Sequence, residues 1–240
     1  MIGLGTIINA AGVIAGGLLG LLVGKGLKPR FQDIVMTALG LSTMFISITG
    51  VVQEMLVIKD GALSSQGSFM MIASLVGGSL IGECINIEAR TEQFGEWLKK
   101  KSGNATDPLF VDGFVTASLT VCVGAMAVIG SINDGLSGDY SLLLTKAILD
   151  AVILLILTAS HGKGCIFSVI PVVVLQGGIT LLARWIQPVM TDTALSNLSL
   201  VGSVLIFCVG VNIAFGKRIR VANLLPSIVL AVLCAFIPWF

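Results

Sequence analysis

Two ionisable residues of opposite charge, Lys146 and Asp150, lie four positions apart inside a long apolar segment of this 240-residue chain. In a helix this spacing puts both side chains on one face, where they can form an ion pair. A charge near the centre of a membrane helix costs roughly 2.5–3.5 kcal/mol even on the mildest insertion scales, so it normally faces a partner or a wet cavity. Two interpretations stay open: a neutral link between helices, or a role in handling a solute or an ion.

Other polar residues in apolar segments are further candidates for a solute or ion pathway. Gln176 lies in VVVLQGGIT, and its setting fits both a pathway-lining amide and an interhelical hydrogen bond. Glu83 lies either inside a membrane helix or at its interface with water, where a charged carboxylate costs little free energy. The remaining candidates of this kind are Asn9, Asn212 and Asn223.

A polar segment, GSINDGLSGDYS (130–141), separates two apolar runs and contains Asn133, Asp134 and Asp139. Its glycines and short polar side chains predict an interruption of the helix. One interpretation is an ordinary outward turn. The other is a helix break dipping into a cavity, where backbone carbonyls and two carboxylates could coordinate a cation.

The composition excludes most classes of soluble protein. Apolar residues make up 55% and charged residues 11% of the chain, whereas soluble domains carry roughly 25% charged residues. A net charge of +1 gives no reason to expect a nucleic-acid partner. The cysteines and the single histidine lack metal-site spacing, and no catalytic motif is present, so we expect no metal, no cofactor and no enzyme.

Apolar runs of about 20 residues predict membrane-spanning helices. The fold class is therefore all-α, a polytopic transmembrane bundle forming one domain over 1–240. Asn223 and Pro226 shorten the last run, so seven spans are the alternative to eight. The first run has no basic leader and is interpreted as a membrane helix, not a secretory signal. The eight runs cover residues 1–24, 34–56, 69–87, 111–132, 142–160, 165–187, 197–215 and 221–240.

Basic residues predict the orientation of these spans. The connections after spans one, three, five and seven hold eleven of the fourteen lysines and arginines, which predicts a cytoplasmic location for them and an outer location for both termini. The eleven are Lys25, Lys28, Arg30, Arg90, Lys99, Lys100, Lys101, Lys163, Lys217, Arg218 and Arg220.

The longest connection, 88–110, predicts a short amphipathic helix at the cytoplasmic interface. Phe94, Trp97 and Leu98 recur at helical spacing with charged residues between them. Such a helix fits a gate or lipid sensor as well as a simple connector anchored by Trp97.

Glycines predict close helix packing. Four of them recur every fourth residue along the first run, so they form one stripe that another helix can approach closely. The neighbour is either another helix of this chain or a second protomer, which leaves a homo-oligomer open. The stripe comprises Gly12, Gly16, Gly20 and Gly24, and a shorter copy on the third run comprises Gly78 and Gly82.

A weak internal repeat is also present. GLKPRFQDIVMTALG (26–40) aligns with GLSGDYSLLLTKAIL (135–149), and the two copies begin after spans of opposite orientation. The match predicts a three-plus-three inverted repeat, an architecture common in transporters. Its halves are 1–87 and 111–187, with the C-terminal helices in 197–240 outside it.

Several long strings resemble one family along nearly the whole chain. GLGTIINAAGVIAGGLLGLLVGKGL, CVGAMAVIGSINDGLSGDYSLLLTKAILD, LQGGITLLA, VGVNI and IRVANLLP are similar to the YqgA/YdfK-like family of uncharacterised bacterial membrane proteins. The resemblance implies a bacterial inner-membrane location and a transport role, with no substrate and no residue roles.

The leading hypothesis from the sequence is a transporter or channel for a small polar solute or ion, in contact with membrane lipid. The alternative is a structural or regulatory membrane protein in which the polar residues only lock helices together. A wet interior reaching Gln176 and Asp150 would favour the first, and a dry, fully paired interior the second.

Overall fold

The protein is almost entirely helical over residues 1–24, 28–59 and 61–237, which the computed structural model describes. Lys25 and residues 238–240 of the last predicted span lie outside them. The helices are α1 Leu4–Gly24, α2 Pro29–Met55, α3 Ser68–Ile85, α4 Ile87–Lys101, α5 Phe110–Cys122, α6 Ala125–Ser137, α7 Ser141–His161, α8 Val169–Leu181, α9 Ala183–Ile186, α10 Asp192–Phe215, α11 Val221–Leu224 and α12 Pro226–Cys234.

Three short elements complete the described fold. Tight 3-10 turns cover Gly162–Ser168 and Gln187–Val189. The strands β1 Leu56–Lys59 and β2 Ala62–Ser65 form an antiparallel hairpin after α2. The predicted helical membrane bundle is confirmed as the fold class.

The number of long apolar helices differs from the predicted eight. In the described residues, five stretches are long and apolar enough to cross a membrane, namely α1, α2, α3, Ser141–Leu181 and α10. The pair of α5 and α6, bent by 63°, makes a sixth if it is one span. The count is lower because two predicted spans fall in the 41-residue stretch Ser141–Leu181, and because the last apolar helix, Val221–Cys234, is short.

The 41-residue stretch nevertheless folds back on itself. Its first half, α7, runs parallel to α1, whereas its second half, α8, runs antiparallel to α1. The chain therefore reverses within Gly162–Ser168 and supplies two antiparallel helices, where spans five and six were predicted. The neighbouring residues that fix these directions are Gly12 with Ala147, Gly24 with Ala159, Gly17 with Ile166 and Thr6 with Thr180.

The helices form two compact units. The first unit comprises Met1–Leu39 and Ala89–Gln187, and the second comprises Gly40–Glu88 and Pro188–Phe240. These units do not coincide with the predicted repeat halves 1–87 and 111–187, so the inverted repeat stays a prediction.

In the first unit, the glycine stripe of α1 packs against α7 of the same chain. A Cβ atom added at Gly12 would lie 2.7 Å from the carbonyl oxygen of Ala147, closer than real Cβ contacts allow. Gly16, Gly20 and Gly24 meet the backbone of α7 in the same way, one turn apart. The missing side chains thus let the two backbones touch along the whole of α1.

The second unit uses the same device on a smaller scale. Gly78 and Gly82 on α3 lie against Ser227 at the start of α12 and Asn223 in α11. The end of α2 is tied to α10, because the Ser196 hydroxyl donates to a carboxylate oxygen of Glu54 at 2.6 Å.

Polarity is inverted relative to a soluble protein. Large apolar side chains face outwards on several spans, and Leu22, Phe45 and Val174 are each about two-thirds exposed. Polar side chains, including Asn9, Asp150 and Gln176, are instead buried. This arrangement suits a surface solvated by lipid and a polar interior.

The predicted amphipathic helix in 88–110 is present as α4. Leu98 is buried, while Trp97 is half-exposed and stacks on Phe94 with 5.7 Å between ring centroids. Phe94 also contacts Phe114 of α5, so α4 is attached to the first unit through its aromatic face.

Candidate functional site

An ion pair is buried in the first unit. The Nζ atom of Lys146 donates to both carboxylate oxygens of Asp150 at 2.8 Å. Both side chains are almost fully buried. Helix α7 produces the pair directly, because one turn separates the two residues. The pair is electrically neutral, and each charge depends on the other for its stability in this position.

A sharp bend between two apolar helices lies in the same unit. α5 ends at Cys122, and α6 begins at Ala125 after a bend of 63°. Gly124 at the break has φ 149° and ψ 145°, a conformation essentially restricted to glycine. The end of α5 at Cys122 lies in the same region of the unit as Lys146 and Asp150. A helix end leaves backbone groups without partners inside the helix.

The predicted interruption within 130–141 is present in its simpler form. α6 ends at Ser137 and α7 begins at Ser141, so a short connection at 138–140 separates two helices, while Asn133 and Asp134 stay inside α6. The hydroxyl of Ser131 donates to the Ala127 carbonyl and that of Ser137 to the Asn133 carbonyl, so neither hydroxyl needs a partner outside the helix.

The carboxylates of this segment have separate positions. Asp134 is fully buried and accepts the backbone N–H of Gly5 at 3.1 Å, close to the start of α1. Asp139 is exposed in the turn, where hydrogen bonds from the Ser141 hydroxyl and backbone N–H hold the pKa of its carboxyl below the usual range. The two acids do not share one cation site.

Two buried amides lie on α1 and α8 of the same unit. Asn9 on α1 and Gln176 on α8 have relative exposures of 0% and 1%. Neither side chain has a hydrogen-bond partner for its oxygen or its nitrogen among the described residues. Asn9 lies beside the Asp150 carboxylate without forming a hydrogen bond of good geometry. An unmet buried polar atom costs roughly 1–3 kcal/mol, so four such atoms need an explanation.

A cluster of hydroxyls continues from these amides towards Asp134. The hydroxyls of Thr6 and Thr180 are 3.5 Å apart, and the Thr180 hydroxyl donates to the Ser131 carbonyl at 3.2 Å. Sequence reasoning missed Thr6, Thr180 and Ser131, because hydroxyl residues are common in membrane helices and lack a distinctive pattern.

The other sequence candidates belong to the second unit and have partners there. The Asn212 amide oxygen accepts the backbone N–H groups of Arg218 and Ile219, and its nitrogen donates to the Ile219 carbonyl. Asn212 therefore fixes the loop after α10, a structural role that the sequence did not indicate.

Asn223 and Glu83 belong to a charged network in the same unit. The Asn223 oxygen accepts the backbone N–H of Glu88 at 2.7 Å, and its nitrogen donates to Glu83 at 2.6 Å. Glu83 also pairs with Arg220, and the buried Glu88 pairs with Lys217 at 2.9 Å. Glu88 was not singled out from the sequence, because it lies in the first turn of a helix rich in charged residues.

Similarity to known proteins extends along the whole chain. The family described as "Protein of unknown function (DUF554)" matches residues 4–236. The "Uncharacterized membrane protein YdfK" of Bacillus subtilis (strain 168) is 29% identical over 233 residues, which cover 97% of this chain and 96% of that protein. The "Uncharacterized protein YqgA" of Escherichia coli (strain K12) is 29% identical over 246 residues, covering 99% of each. No solved structure matches the chain.

Proposed function

Since the chain belongs to the DUF554 family, which is described without a function, we propose from its own structure that it is a membrane transporter or channel for a small polar solute or ion. The pathway runs through the first unit, between α1, α6, α7 and α8. The observation that carries this proposal is the break at Gly124 in the same unit as the buried pair of Lys146 and Asp150. Discontinuous helices around buried polar groups are the common design of solute sites in transporters.

One continuous group of buried polar residues lies near the N-terminal end of α1. They begin at Asp134 and Gly5, near the N-terminal end of α1, and continue through Thr6 and Thr180 to Gln176. The ion pair flanks Ala147, which lies next to Gly12 of α1. From Gly5 to Gly12 a helix rises about 10 Å, or roughly a third of a hydrocarbon core of about 30 Å.

The remaining interior of the first unit is mostly apolar, although the hydroxyl side chains of Ser118, Thr158 and Ser168 are also buried there. Further along α7, beyond the ion pair, the buried side chains include Leu154 and Leu157. A polar track that ends at an apolar barrier describes a closed pathway with access from one side. The N-terminal end of α1 is then the side from which a solute enters.

The unpartnered amides support transport over the structural alternative. A side chain that only links helices forms its hydrogen bonds within the protein, as Asn212 does. Asn9 and Gln176 form none with the residues that the structure describes. A permeating solute or its hydration water would supply the missing partners.

Location and symmetry are part of the proposal. The basic connections face the cytoplasm of a bacterial inner membrane, as the positive-inside rule favours. The stripe of Gly12, Gly16, Gly20 and Gly24 acts as a glycine zipper that holds α7 and its ion pair against α1. An inverted repeat and a homo-oligomer would both be compatible with this pathway. The protein has no enzymatic activity in this proposal.

A liposome flux assay tests the proposed function. Purified full-length protein is reconstituted, and fluxes of inorganic ions, amino acids and small carboxylates are compared with protein-free liposomes. We expect flux of at least one solute, strongly reduced by Gln176→Leu and unchanged by the control Ser196→Ala in the second unit.

Cysteine accessibility provides the second measurement. In a background without native cysteines, Thr6→Cys and Gln176→Cys should react with a membrane-impermeant thiol reagent, whereas Leu157→Cys should not. Absence of flux for every solute, together with unreactive cysteines at positions 6 and 176, would contradict the proposal and favour the structural alternative.

A further inference from the structure

We infer that the N-terminus of α6, together with Gln176, binds a small monovalent anion, so that the permeating species is anionic. This inference rests on the proposed pathway and adds the charge of its solute. The class includes inorganic anions such as chloride and nitrate and the smallest carboxylates, formate and acetate.

The first element of the site is the start of α6. This helix has 13 residues, and no side chain from the described part of the chain caps its N-terminus. The first N–H groups of a helix lack partners within the helix, and the aligned peptide dipoles place about half a positive charge there. At a break within a membrane span, such an end attracts negative charge and supplies hydrogen-bond donors.

The second element is Gln176, which helical spacing puts level with the first turn of α6. Thr180 and Gln176 are one turn apart on the same face of α8, and the Thr180 hydroxyl reaches the Ser131 carbonyl of α6. The two helices run in the same direction, because Ser131 contacts Thr180 and Gly135, further along α6, meets Thr180 and Ala183. Helical spacing therefore puts Gln176 one turn further towards the start of α6, at the level of Ala127. Gln176 is 1% exposed, and both its polar atoms lack partners among the described residues.

The charges around the site favour an anion over a cation. Both oxygens of Asp150 accept hydrogen bonds from Lys146, so this carboxylate is already neutralised. Asp134 lies nine residues along α6 from Ala125, roughly 13 Å away by helical rise. The same pairing neutralises Lys146, so the groups left for a solute are the backbone N–H donors at the start of α6 and the amide of Gln176.

Asn9 completes the surroundings of the site from α1. It lies between the level of Gln176 and the Asp150 carboxylate, with its amide unpartnered within the described residues. Its NH₂ group can donate to an anion, while its oxygen can accept from Lys146. An anion held by these donors would bind without separating the ion pair, whereas a cation would have to displace the Lys146 ammonium from Asp150.

Thermal unfolding of the full-length protein in detergent tests the inference. Sodium salts of chloride, nitrate, formate and acetate are titrated at constant ionic strength, with sodium gluconate as the large reference anion. The same anions are then added as potassium and choline salts. We expect a saturable rise in unfolding temperature that depends on the small anion and not on the cation.

Two variants of Gln176 link this effect to the site. Gln176→Glu adds a negative charge, and Gln176→Leu removes both polar atoms while keeping a similar volume. Either change should weaken anion binding by roughly tenfold or more, as expected for loss of a charge-assisted hydrogen bond. Gln53→Glu, an exposed position on α2, is the matched control and should leave the anion effect intact. If Gln176→Glu does not fold, the Leu variant alone decides.

The outcomes separate this inference from the proposed function. A stabilising effect that follows the cation, or an anion effect that survives in Gln176→Leu, would overturn the anion site. Flux of a cation or a neutral solute without any anion effect would overturn the site and leave the transport proposal standing. Absence of all flux would instead count against the proposed function.

Discussion

Separating the buried ion pair should do more damage than removing it. Lys146→Met leaves the Asp150 carboxylate without its partner, and Asp150→Leu leaves the Lys146 ammonium alone in a nearly dry interior. The double variant removes both charges and replaces them with apolar side chains of similar length. The structure therefore predicts that the double variant is more stable than either single variant.

The expected losses of stability follow from the burial of both side chains. Breaking one partner of a buried pair costs about 3–5 kcal/mol, whereas replacing both by apolar residues is close to neutral or stabilising. In a chain of this length 1 kcal/mol corresponds to about 2–4 °C in Tm, so each single variant should melt roughly 6–20 °C below the wild type. The double variant should recover most of that loss.

The assay combines melting temperature in detergent with flux in liposomes for the wild type, both singles and the double. The surface pair of Glu96 and Lys99, with its 3.9 Å separation, is the control. Glu96→Leu should cost no more than about 1 kcal/mol. The reasoning would be refuted if the single variants lost as little stability as this control, or if the double variant were as unstable as the single variants. A double variant that folds and transports normally would remove the pair from the pathway, whereas a folded, inactive one would keep it there.

Three further predictions concern the frame around the pair. Gly16→Ala places a Cβ against the Ala151 backbone and should lower the free energy of unfolding by about 1–3 kcal/mol. Gly178→Ala is the control, because its Cβ meets open space. Equal melting temperatures of the two variants would argue against close packing of α1 on α7. Gly124→Ala should also lower the free energy of unfolding by about 1–3 kcal/mol and reduce flux, because a φ of 149° suits glycine alone. An unchanged melting temperature and unchanged flux would mean that the backbone at position 124 does not require glycine. A cysteine at Lys100 should react with impermeant reagents only from the cytoplasmic side, and labelling from outside would reverse the orientation.

Spacing alone was enough to predict the parts of the fold that depend on one helix. The pairing of Lys146 with Asp150 follows from their separation by one turn, and the α1 stripe follows from four glycines at every fourth residue. The polarity of Gln176 in an apolar run was also informative, since the structure buries it. In each case the relevant period lies within one helix, so the sequence contains the geometry.

The features that sequence reasoning missed depend on contacts between helices. The polar segment 130–141 interrupts the helix only at 138–140, and Asp134 stays inside α6, where it accepts the N–H of Gly5, far away in the chain. The 63° bend lies elsewhere, at Gly124 in an apolar run, where nothing in the local composition indicates it. The backbone partners of Asn212 likewise come from a loop whose course the sequence does not specify.

The two units provide a comparison within one molecule between structural and functional uses of a buried amide. Asn223 in the second unit is 3% exposed, and both ends of its amide are hydrogen-bonded, to the Glu88 backbone and to Glu83. Gln176 is equally buried, yet neither end has a partner from any residue that the structure describes. Both are subject to the same desolvation cost, so a purely structural role would favour the paired arrangement in both places. The unpaired amide of Gln176 is therefore better explained by a partner that binds reversibly, such as a permeating solute.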